Sequence, residues 1–191
     1  MYVVPGLIAR FKKKHPKIAV SLNIKNTRQV EEEIIQDGFD LGLVGGHIIG
    51  DEIETYPWLT DELVPVVQPR HPLAGKRTVT LKDLMKETLI IREVGSATRA
   101  EVEKHVPLMN LPMEAVLEMG NPEAVKQVVR EGLGIAFLSR FAIEMEIKAK
   151  SLKVLKVDGL DIHRQLKIIY RKGKHLSVAA GSLLRTARQI K

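Results

Sequence analysis

Apolar positions along this chain switch repeatedly between the three-to-four-residue spacing of a helix and the alternation of a strand. Leu7, Ile8 and Phe11 recur at helical spacing within residues 2–14, and Pro16 stops that helix. Residues 18–24 alternate as a strand should, and Val30, Ile34 and Ile35 mark a helix that begins at Asn26-Thr27 and closes at Gly38. Residues 40–44 read as a buried strand ending in Gly45-Gly46, and Leu63 to Val67 as a further apolar run. Then come a loop rich in Pro, Gly and basic residues (69–77), a short helix near 80–86, a strand at 89–91 and a helix from Ser96 to Val106. A strand at 114–118 leads to Asn121-Pro122, which opens a helix ended by Gly132. The pattern closes with a strand at 134–138, a helix at 140–148, strands at 152–157 and 165–170, and a last helix behind Ser177. Such alternation predicts the α/β class, with mainly parallel sheets covered by helices on both faces.

Composition narrows the class of protein. The 191 residues are 45% hydrophobic and 28% charged, near globular averages, and no window approaches the length of apolar sequence that crosses a bilayer. No membrane association is expected. The absence of cysteine excludes disulfides and thiolate metal sites, and the first residues lack the features of a signal peptide, so a cytoplasmic location is expected.

The net charge of +7 invites a nucleic-acid reading, but its distribution argues otherwise. Residues 1–30 hold seven Lys/Arg and no Asp/Glu, residues 148–191 hold twelve against two, and the middle holds eleven against twenty-one. Lys12, Lys13 and Lys14 read as the solvated tail of the first helix, and Arg171, Lys172 and Lys174 as a solvated turn. An aromatic content of 4% leaves little for base stacking.

Signatures of enzymes are lacking. The six histidines show no metal-ligand spacing, and Gly132-Leu133-Gly134 precedes a strand and carries Phe137 where a dinucleotide fingerprint needs its third glycine. Ser139 follows a strand without the Gly-x-Ser-x-Gly turn. No catalytic residue, metal or cofactor is expected. Three polar helix starts stand out instead: Asn26-Thr27, Gly95-Ser96-Ala97-Thr98-Arg99 and Asn121-Pro122-Glu123. Free N–H groups and the helix dipole favour an anion at such a start by about 0.3–1 kcal/mol. The second start adds glycine's close approach, two hydroxyls and a cation.

The ordering of Tyr2-Val3-Val4-Pro5, Asp40-Leu41-Gly42-Leu43-Val44, Asp61-Glu62-Leu63-Val64-Pro65-Val66-Val67 and His71-Pro72-Leu73-Ala74 resembles the effector domain of LysR-type transcription regulators. So do Arg92 to Arg99, Glu131 to Ser139 and Tyr170-Arg171-Lys172-Gly173. The resemblance covers residue 1 to about 190 and is strongest to regulators of sulfur and carbon assimilation. It implies a two-lobed fold like type II periplasmic binding proteins, with lobe one at 1–62 and 163–191 and lobe two at 63–162. It also implies a small, anionic metabolite in the interlobe cleft, lined by Asn26, Thr27, Gly45, Gly46, Ser96, Thr98, Asn121 and Pro122, to which the polar helix start adds Gly95 and Arg99. Ala97 stands where the family usually has glycine, which narrows the backbone's approach to a ligand.

A bacterial, homodimeric, allosteric module is therefore expected, binding DNA only through a helix-turn-helix domain that this sequence does not contain. The alternative is a free-standing solute-binding protein of the same fold. The resemblance also implies a strand and a polar turn ahead of Tyr2, lying in the sheet between 18–24 and 40–44. Without it, unpaired sheet edges are expected there.

Overall fold

A computed structural model describes residues 2–106 and 116–190. The chain divides into two compact units, residues 1–60 with 165–191 (unit 1) and 61–164 (unit 2).

In unit 1, helix α1 (Val4–Lys14) starts with Pro5 in its first turn and buries Val4, Leu7 and Phe11. Lys12 is more than a solvated tail: its ammonium donates to the carbonyls of Pro16 and Ile18, at 2.8 and 2.7 Å, fastening the chain that leaves the helix. Helix α2 (Thr27–Ile35) is opened by a reciprocal capping box between Asn26 and Gln29. Its Val30 and Ile34 pack with Val44, Ile53 and Ile169. Strand β1 (Gly42–Gly45) pairs antiparallel with β7 (Ile162–Arg171), from Gly42 opposite Ile169 to Gly45 opposite Leu166. Gly42 is dictated by packing, because a Cβ there would lie 2.6 Å from Val30 and 2.8 Å from Ile169. Helix α7 (Val178–Arg188), capped by Ser177, lays Leu184 and Ala187 with Leu7 and Ile168.

The alternating segment 18–24 forms no strand. Alternation creates a face suited to a sheet, but a strand also needs a hydrogen-bonded neighbour. Val20, Leu22 and Ile24 are left 36, 46 and 62% exposed. A groove of about 290 Å³ runs between residues 18–25 and residues 38–43, floored by Val4, Phe11, Ala180 and Leu183. The groove thus lies between segment 18–25 and the residues leading into β1, lined by apolar side chains.

Unit 2 holds the far end of strand β2 (Ile53–Val67), followed by a 3-10 turn and helix α3 (Leu81–Leu84). Then come β3 (Leu89–Arg92), α4 (Ala97–Glu103), β4 (Val116–Met119), α5 (Pro122–Arg130), β5 (Ile135–Ser139), α6 (Glu144–Lys148) and β6 (Lys153–Val154). The start of the strand expected at 114–118 lies outside the described residues.

Helical connections make β3 parallel to both β4 and β5. The sheet is nevertheless mixed, where the sequence predicted mainly parallel pairing: β2 arrives from unit 1 and runs antiparallel to β5 and β6. Leu63, Val67, Leu89, Ile135 and Phe137 share one buried cluster with Leu84, Val102, Val106 and Ile162. Gly134 serves the packing of this sheet. Its φ is +154°, and a Cβ would lie 2.2 Å from the carbonyl oxygen of Thr88, which accepts from the N–H of Ile135.

An added strand should fill the unit 1 groove, pair both edges and cover Val20, Leu22 and Ile24. A chain extended by about ten residues of alternating apolar sequence before Met1 should therefore melt several degrees higher, at about 2–4 °C per kcal/mol gained, and associate less. Thermal melts at several protein concentrations check this. An extended chain that melts no higher would place the groove outside the sheet.

Candidate functional site

The loop between β3 and α4 is shaped by backbone bonds. The N–H of Glu93 donates to the carbonyl of Met119 at 3.2 Å, Gly95 turns with φ +89°, and the N–H of Ser96 returns to the carbonyl of Glu93. Ser96 occupies the position before α4, yet its side chain makes no capping bond although the residue is only 4% exposed. A hydroxyl left out of its usual capping bond is available to something else.

Thr98, also buried, accepts a bond of 2.9 Å from Nη1 of Arg164. The same guanidinium donates from Nε to Oδ2 of Asp61 at 2.9 Å, and Nη2 lies 2.8 Å from that oxygen. The hydroxyl of Ser139 donates to the other carboxylate oxygen at 2.7 Å. Asp61 is wholly buried and Arg164 is 12% exposed, so this pair is shielded from water. Asp61, Thr98, Ser139 and Arg164 form one connected network at the start of α4.

Arg99 turns the other way. It pairs with Glu103 at 2.8 Å and Glu118 at 2.7 Å and donates to the carbonyl of Arg92. The bond to Glu103 holds its pKa above the ordinary value, with burial opposing and Glu118 reinforcing. The cation that touches the Thr98 hydroxyl is Arg164, which the sequence did not single out.

The other predicted residues behave as caps or backbone turns. Asn121 accepts from the N–H of Ala124 at 2.9 Å, and Pro122 takes the first helical position. This start follows β4, whose Met119 lies opposite Arg92 of β3, so two helix starts leave neighbouring parallel strands at the same end. Within α5, Lys126 is buried: burial lowers its pKa, but Glu146 and Glu123 outweigh this and hold it above the ordinary value. In unit 1, Asn26 accepts from Gln29 and Thr27 begins α2. Gly45 ends β1, and Gly46, with φ +78°, continues the ladder by donating to the carbonyl of Gln165.

Among the described residues no group of three His, Cys, Asp or Glu side chains could hold a metal, and no helix is long and apolar enough to cross a membrane.

Residues 1–190 match the LysR substrate binding domain. The chain belongs to that family. Among curated relatives of this LysR-type domain, it is 36% identical to the RuBisCO operon transcriptional regulator of Allochromatium vinosum and 36% identical to the HTH-type transcriptional activator CmpR of Synechocystis. The alignments cover 95 and 96% of the chain but 60% of each relative, so the domain spans under two thirds of those regulators. These relatives are transcription regulators and not enzymes.

Among solved structures, the regulatory domain of Synechocystis CcmR in complex with 2-PG superposes with a TM-score of 0.88 at 31% identity, covering 99% of this chain and 91% of that one. The effector-binding domain of QuiR in complex with shikimate gives 0.85 at 22%, covering 97 and 88%, a likeness of fold alone. These likenesses carry the α/β, type II periplasmic-binding-like fold of LysR regulatory domains.

Removing one partner of a buried ion pair strands the other's charge. Asp61→Asn should destabilise the domain by about 3 kcal/mol, read by denaturant unfolding. A loss under about 1 kcal/mol would mean that water reaches Arg164.

Proposed function

We propose that this LysR-type domain senses a small anionic metabolite, which seats against the start of α4 at Ser96 and Thr98 and thereby controls transcription by the regulator that carries it. The observation that carries this reading is the Ser96 side chain, which makes no capping bond although the residue is 4% exposed, two positions from the Thr98 that Arg164 touches. Gly95 lets the backbone approach. That CcmR binds 2-PG and QuiR binds shikimate supports a small oxygen-rich ligand.

A ligand shifts a conformational equilibrium only through its different affinity for the two states. A tenfold preference is worth about 1.4 kcal/mol, within the usual range of allosteric coupling. DNA binding belongs, in this reading, to a helix-turn-helix domain outside this sequence.

Calorimetry with inorganic sulfate, inorganic phosphate and 2-PG tests the site. Ser96→Ala and Thr98→Ala should each weaken binding severalfold, as expected for about 1 kcal/mol per lost bond. Unchanged affinity in both would remove the site.

The reading also includes a homodimer, with α1 and residues 18–24 of one copy against unit 2 of the other around α5. The basic first thirty residues and the acidic middle of the chain are complementary in charge. Light scattering at tens of micromolar should give twice the 21.4 kDa chain mass. A mass of one chain across that range would exclude a stable pair.

A further inference from the structure

We infer that Arg164 is the anion-pairing side chain of the unit 2 ligand site and that Asp61 is the residue that positions it; this rests on the reading of Ser96 and Thr98 given above. A guanidinium has five N–H donors. In this domain Nε and one N–H of Nη2 face Asp61, and one N–H of Nη1 goes to Thr98. One N–H on each terminal nitrogen therefore has no protein partner among the described residues. On a solvated arginine, water would fill both. At 12% exposure that supply is thin, and an anion's oxygens are the strongest alternative acceptors.

The other cations of the loop are committed. Arg92 forms a two-bond pair with Glu93 at 2.7 and 2.8 Å, and Arg99 is held by Glu103 and Glu118. Arg164 alone among these three bonds to a hydroxyl of the α4 start. Its orientation is fixed from behind, because Ser139 occupies the second oxygen of Asp61 and leaves that carboxylate little freedom to rotate. The ligand chemistry that fits is a compact head with at least two negative oxygens, a carboxylate or an oxyanion of phosphorus or sulfur.

The experiment is calorimetry of the full chain with inorganic phosphate, inorganic sulfate and acetate, the last arm separating carboxylate from phosphate or sulfate recognition. Arg164→Lys keeps a charge opposite Asp61 but has no planar fork, so it should bind at least about tenfold more weakly while folding. Arg164→Met should bind none of the three; if it fails to fold, the lysine variant carries the test. Asp61→Asn, measured well below its melting temperature, separates positioning from attraction. It adds a positive charge to the site, so tighter binding would mean that Asp61 only repels the anion, whereas weaker binding shows that it aims Arg164.

Unchanged affinity in Arg164→Lys alongside weakened binding in Ser96→Ala overturns this inference and leaves the proposed site standing. A native chain that gives neither heat nor a shift in melting with any of the three anions removes both.

Discussion

The ion pair between Asp61 and Arg164 closes unit 2, because these are that unit's first and last residues. Chain between them folds back on itself over 103 positions, and each end is held by the other. Closing a loop of that length carries an entropic cost that grows only as (3/2)RT ln n, so the sheet core and not the clip supplies most of the closure. What the pair adds is placement. A carboxylate with no exposed surface has to be satisfied at both oxygens, and here one is satisfied by Arg164 and the other by Ser139 at the end of β5. One residue further along, Gln165 belongs to unit 1 and donates from Nε2 to the carbonyl of Leu59 at 3.0 Å. Adjacent side chains on β7 thus tie the two connecting segments together, once within each unit.

Unit 1 is organised by a different constraint, the need of a sheet edge for a partner. Its helices are well provided: Asn26 and Ser177 cap their first turns, and Leu7 and Leu184 pack with Ile168 of β7. Segment 18–24 has an apolar face and no neighbouring strand, so its backbone stays open to water and its valine, leucine and isoleucine stay exposed. The same alternation that reads as a strand in the sequence becomes one wall of a groove when the ladder next to it is incomplete.

Local patterns were the legible part of this fold. Helix starts at Asn26, Asn121 and Ser177 follow from side chains that bond two or three residues ahead, and the spacing of Leu7 and Phe11 or of Val125 and Val129 fixes which face is buried. Sheet direction was not legible, since it depends on where β2 arrives from and not on its own sequence. The site was legible by halves. Ser96 and Thr98 stand out as hydroxyls at a helix start, and their neighbour Arg99 looked like the accompanying cation because spacing along the chain was the only distance available. Nothing local marks Arg164, which sits 66 positions from Thr98, or Asp61, which leads an apolar run as many surface aspartates do.

Neutralisation of Arg164 by Asp61 decides what kind of recognition this site can perform. A bare buried arginine would attract any anion, and the strength of that attraction would follow the anion's charge. With Asp61 beside it the pair carries no net charge, so a ligand gains little from charge alone and is opposed by the carboxylate if it approaches from the wrong side. What remains is directional: two N–H donors on a fixed plane, a serine hydroxyl, a threonine whose oxygen already faces the guanidinium, and the N–H groups of a glycine-led turn. Directional donors reject a ligand whose oxygens are misplaced, because each donor left dry in a buried site costs about 1–3 kcal/mol. In the proposed site the buried pair weakens the attraction for anions in general and sharpens the choice among them, the property that a sensor of one anion among many requires.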